Sequence, residues 1–217
     1  MASQRTLRAS ANKGLAEIEQ KYGVFAEGWE KLSADLYDYQ AYAVGGQTAL
    51  NFFQAPIGQN GKTIADTNMQ LAGQLPTGQK FLVTGIQVDF MGGNAASATG
   101  AIVAANTNDM QIVGNGGALT FSIGVKNYYQ AAPLKRFPAA QYICGDVAIS
   151  DTTTAAAARV TKIELPKFGG MPCNINPVMI PSTESFGVSL QWPAALPISV
   201  AGRIGIRLSG MLYRRSQ

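Results

Sequence analysis

The stretch FLVTGIQVDF, residues 81–90, reads as a β-strand and sets the class of the whole chain. Leu82, Thr84, Ile86, Val88 and Phe90 fall on one face, and Phe81, Val83, Gly85, Gln87 and Asp89 on the other. Successive side chains of a strand point to opposite faces, so this spacing separates a mostly apolar face from a mixed one. The first face is the better core candidate. Outward from it, strand-like runs recur at residues 48–53, 119–129, 142–149, 159–165, 176–180, 185–192 and 203–213, making about eight strands. In the last, Ile204, Ile206, Leu208 and Leu212 alternate with Arg207, Ser209 and Tyr213, as in half-buried antiparallel sheet. The connections are rich in turn formers, among them Gly58-Gln-Asn-Gly61 and Gly114-Asn-Gly-Gly117. Many strands without alternating helices point to a sandwich or barrel. Long, uneven, uncharged loops suit a jelly roll better than an up-and-down barrel. The expected fold is all-β, an antiparallel jelly-roll sandwich of about eight strands in one domain, residues 45–217.

Ahead of it the expectation is an N-terminal arm, residues 1–44. Its basic leader, residues 1–13, holds Arg5, Arg8 and Lys13 and no acid, and these three are candidate nucleic-acid contacts. Solvated ends are the bland alternative. No apolar stretch follows the leader, so no export signal is expected and synthesis in a cytoplasm is the default. Residues 14–39 read as an amphipathic helix. Leu15, Ile18, Tyr22, Phe25, Trp29, Leu32, Leu36 and Tyr39 recur at alternating intervals of three and four, one face of a helix. Gly23 and Gly28 each cost such a helix about 1 kcal/mol relative to alanine. It therefore needs a partner surface, either its own domain or a neighbouring subunit. Leu15, Ile18, Tyr22, Phe25, Trp29, Leu32 and Leu36 are the candidate docking residues. On this reading, removal of residues 1–40 leaves the β domain folded and impairs assembly.

Composition narrows the function. Only 14% of the residues are charged, against about 25% in ordinary soluble domains, and there are 24 glycines. Surface of that kind suits contacts between subunits better than a dispersed monomer. The net charge of +4 is uneven: the two ends are basic, while residues 14–38 hold two lysines against six acids. Every apolar run falls short of the ~20 residues of a membrane-spanning helix. Without histidine, Ser-His-Asp and Cys-His catalysis and histidine-ligated metal are excluded. Cys144 and Cys173 make no metal motif; they are two buried thiols or a disulfide between neighbouring strands. The acids after residue 40 are isolated, so a pair of carboxylates working together is disfavoured.

One motif imitates a phosphate-binding loop. In Pro56-Ile-Gly-Gln-Asn-Gly-Lys62-Thr63, a strand precedes and Gly61, Lys62 and Thr63 fit the pattern. Pro56 replaces the first glycine and has no N–H to donate, and residues 64–76 make a poor helix. A turn is the expectation, with no nucleotide bound. GNGGAL, residues 114–119, leads into a strand and lacks the third glycine of a dinucleotide fingerprint.

Three stretches resemble structural proteins of bacteriophage virions. They are KTIADTNM (62–69) with GQLP (73–76), TFSIGVKNYY (120–129) with APL (132–134) and FP (137–138), and the closing strand 202–214. The resemblance is to jelly-roll capsid proteins of tailless icosahedral phages and does not cover the N-terminal segment. It implies a self-assembling capsid subunit, located in the virion after synthesis in the host cytoplasm. The partners implied are further copies of the chain and other virion proteins, with weak nucleic-acid contact through the leader. It implies no enzyme, no cofactor and no small-molecule substrate. The alternative is a non-capsid virion component, such as a spike or receptor-binding module.

Overall fold

The computed structural model describes residues 14–24, 28–91, 109, 112–137, 147–150, 158–161 and 172–216. The strands are β1 (Trp29–Tyr42), β2 (Ala49–Phe52), β3 (Gln79–Met91), β4 (Ala118–Ile123), β5 (Lys126–Pro133), β6 (Val147–Ser150), β7 (Ala158–Thr161), β8 (Cys173–Pro181), β9 (Phe186–Gln191) and β10 (Gly202–Arg215). Eight of them form two four-stranded antiparallel sheets, ordered β1-β10-β3-β8 and β2-β9-β4-β5, while β6 and β7 pair with each other. The chain is thus all-β in its main architecture.

One core joins the two sheets. Phe81, Ile86, Ile204, Ile206 and Leu208 from the first meet Leu119, Phe121, Ile123, Val188 and Leu190 from the second. All ten are almost completely withdrawn from solvent, and each such side chain stabilises the fold by about 1.5–3 kcal/mol. At one end of the sandwich, Tyr42 packs edge-on against Trp192, with ring centroids 5.7 Å apart. The indole N–H donates to the carbonyl of Val113 at 2.9 Å, so the buried polar edge is satisfied.

The alternation in residues 81–90 is interrupted once. Opposite β10, Gly85 pairs with Ser209 and Val83 with Gly210, leaving Thr84 as the extra residue of a bulge. The bulge switches the parity of the strand. Phe81 and Val83 face the core before it, Ile86, Val88 and Phe90 after it, and Leu82 turns to the outer face. The expected run 119–129 is likewise two strands, β4 and β5, reversed at Gly124 with a φ of 55°.

The expected helix over 14–39 is corrected. Residues 14–21 are helical, but 29–42 are strand β1, paired along its whole length with β10. Gly23, with a φ of 65°, ends the helix. Its N–H donates to the carbonyl of Gln20 and that of Val24 to the carbonyl of Glu19, both at 3.1 Å. This is the two-bond cap that a left-handed glycine permits. The glycine counted as a cost inside a long helix is the signal that stops a short one. The domain's strands therefore begin at Trp29, so removal of residues 1–40 cuts into the sheet. Phe25, Cys144 and the leader residues Arg5, Arg8 and Lys13 lie outside the described residues.

Candidate functional site

Because β1 is a strand, the seven candidate docking residues do not share one helical face. Leu15, Ile18, Tyr22 and Trp29 pack with Val24 on the outer face of the first sheet, against Leu82, Met179, Met211 and Tyr213. Leu36 points the other way, into the core between the sheets. Leu32 is exposed. The helix thus lies on its own domain, the bland side of the alternative the sequence left open.

A polar latch fastens it. Glu19 is buried on the helix, and both the Tyr213 hydroxyl and the Lys31 ammonium donate to its Oε1, the latter at 2.5 Å. Burial alone would push the Glu19 carboxyl up, but the hydrogen bonds from Lys31 and Tyr213 outweigh it and hold the group below its ordinary value. Burial and the adjacent carboxylate push the Tyr213 phenol far up. Beside the latch, Lys80 donates to the carbonyl of Tyr22, its ammonium 4.8 Å from the centre of the Trp29 ring. Burial, then Arg215, lowers its affinity for a proton.

A second cluster explains the phosphate-loop look-alike. Lys62 does not project toward solvent; it donates to Asp38 Oδ1, with the lysine side chain 9% exposed and the aspartate 0%. Asp38 Oδ2 accepts from the Phe53 N–H at 2.6 Å and from Gln40 Nε2 at 3.3 Å. The loop that carries Lys62 closes on itself and on β1. The Gly58 N–H donates to the Lys62 carbonyl at 2.8 Å, the Lys62 N–H to the Gln59 carbonyl at 3.0 Å, and the Tyr39 N–H to the Asp66 carbonyl at 2.7 Å. These amides are used within the loop instead of converging on an anion, and no helix follows Thr63.

A third cluster lies on the outer face of the first sheet, beyond the helix. Asp89 accepts from the Tyr39 hydroxyl at 3.0 Å and from Gln87 Nε2 at 2.9 Å, and Arg207 stands 3.7 Å away. Gln87 and Asp89 are both buried. Burial and then Asp89 push the Tyr39 phenol up. The Tyr39 ring lies close against Gly205, where a Cβ would come within 2.1 Å of it. Asp35, Tyr37, Tyr39, Ile64, Ala65 and Arg207 line a shallow cleft of about 420 Å³ here. The arrangement offers hydroxyl and guanidinium donors around a carboxylate that is already bonded.

Among the described residues no cluster of three or more acid or cysteine side chains is disposed to hold a metal ion. Among the same residues no helix is long and apolar enough to cross a membrane. Sequence reasoning missed Glu19, Asp38, Tyr39, Asp89 and Tyr213 as interacting groups. The available signal was Asp35, Tyr37 and Tyr39 at every second position, which suits a strand with one face turned outward. No family model, curated protein or solved structure matches this chain.

Proposed function

We propose that the chain is a structural virion protein, a self-assembling capsid subunit built on a jelly roll. The observation that carries the reading is the nesting of the strand pairs. With β6 and β7 set aside as an insertion, β1 pairs with β10, β2 with β9, β3 with β8 and β4 with β5. A long hairpin of four successive pairs, rolled so that alternate pairs fall in opposite sheets, is the jelly-roll path found in viral shells. Fold alone does not specify function. The capsid role draws in addition on the resemblance of residues 62–76, 120–138 and 202–214 to capsid proteins of tailless icosahedral phages, and on the low charge of 14%. Copies of the chain and other virion proteins are the partners, the virion is the location, and Arg5, Arg8 and Lys13 contact nucleic acid weakly. A spike or receptor-binding module of the virion is the second reading; the cleft beside Tyr37 and Arg207 favours it by offering a place for a polar ligand.

Particle size separates the two. Electron microscopy and sedimentation of the purified full chain should give closed shells or their curved fragments. A discrete small oligomer would select the spike reading, and a stable monomer at neutral pH would reject self-assembly altogether.

A further inference from the structure

Lys62 of the look-alike loop and Asp38 of β1 form an ion pair withdrawn from solvent. Among the described ion pairs that contain a lysine, Lys62–Asp38 alone has both side chains sealed, at 9% and 0% exposure; in Lys31–Glu19 the lysine is 44% exposed. Phe53 and Thr67, both fully buried, flank the contact: Phe53 through its N–H to Asp38, Thr67 as the bridge partner of Asp38. Two charges held away from water are costly and are offset only by close, complete pairing. An amide in the same place carries no charge.

We propose that Lys62 and Asp38 condense into an intramolecular amide that ties the loop between β2 and β3 covalently to β1. The step balances within the pair. A proton passes from the Lys62 ammonium to Asp38 Oδ1, which faces it. The freed amine attacks Cγ, and the C–N bond forms as the Cγ–Oδ1 bond breaks. Oδ1 departs as water with a second proton from the nitrogen, and the amide keeps the third. No oxidant, cofactor or co-reactant is consumed. In the tetrahedral intermediate the charge develops on Oδ2, where the Phe53 N–H and Gln40 Nε2 already donate. Reacting groups fixed in contact act at effective concentrations of about 10⁵–10⁸ M, so condensation competes with hydrolysis in a site closed to bulk water.

Mass spectrometry of the intact, denatured full chain tests the proposal. The wild-type protein is expected to be one water lighter than its sequence, and tandem sequencing of a digest to find one branched peptide joining Lys62 to Asp38. The Lys62→Arg variant keeps the cation and cannot form the amide, so it should show its full sequence mass. A wild-type chain of full sequence mass overturns the proposal, as does a lost water that maps to any other residue. The wild-type measurement decides the matter even where the variant does not fold.

Discussion

Truncation at two points distinguishes the latched helix from the strand that follows it. Removal of residues 1–24 takes away the helix, Glu19 and the Val24 anchor but leaves both sheets and their pairing intact. One buried and three partly buried side chains are lost, about 3–6 kcal/mol at most, because the shortened chain no longer bears the entropy cost of ordering those residues. Removal of residues 1–42 deletes β1. Leu36 and Tyr42 leave the core, at about 1.5–3 kcal/mol each. The tie between Lys62 and Asp38, which holds the loop against β1, goes with the strand. Together these losses reach the size of a domain's whole stability, about 5–15 kcal/mol.

Urea unfolding followed by tryptophan emission reads the difference. Of the two tryptophans, Trp192 is buried in the core against Tyr42 and reports on the sandwich in both truncations. The shorter truncation should unfold cooperatively at a lowered midpoint. The longer one should show exposed, red-shifted emission without denaturant. A cooperative transition in the longer truncation near the full-length midpoint would refute the placement of β1 in the core. Loss of folding in the shorter one would show that the helix is an obligatory part of the domain.

Acid should release the helix: the Glu19 carboxyl sits below its ordinary value, so its stabilisation is present above the unfolded-chain carboxylate range and is lost as pH falls through the folded value. A step in Trp29 emission below about pH 4.5 reads this; it should vanish in Glu19→Gln, and its persistence there would assign the step to another group. Gly205→Ala drives a Cβ into the Tyr39 ring and should cost about 1–3 kcal/mol in thermal unfolding; an unchanged melting temperature would mean that the ring is free to leave Asp89. Calorimetric titration with magnesium and ATP should give no binding heat, because Lys62 is buried on Asp38; saturable binding abolished by Lys62→Ala would show that the loop opens to a nucleotide.

The all-β class, and six of the ten strands at nearly their observed places, were legible because their apolar residues alternate and glycines or prolines bound them. The bulge at Thr84 was not, since a single extra residue changes parity without changing composition. Nor was the hairpin at Gly124: Leu119, Phe121 and Ile123 continue smoothly into Tyr128 and Tyr129, and only the glycine marks the reversal. The pairing of β1 with β10, nearly the full length of the chain apart, depends on contacts that no local pattern encodes.

The misread helix and the imitation phosphate loop have a common cause in Asp38. In strand β1 the inward positions run Ala34, Leu36, Asp38, Gln40 and Tyr42. An apolar residue at 38 would have completed a period of two. A carboxylate there breaks it, and what remains is the spacing of three and four set by Trp29, Leu32, Leu36 and Tyr39. That carboxylate can be inward only because a cation reaches it from outside the sheet, and the cation is Lys62. Lys62 in turn needs a tight, glycine-rich turn to bring its stem back over β1, with Gly58 at a φ of 86° and Gly61 at 72°. Glycines followed by a lysine are what a phosphate-binding loop also requires, for a different end. The same residues that hid the strand therefore built the motif, and each is intelligible only when the other is placed against it.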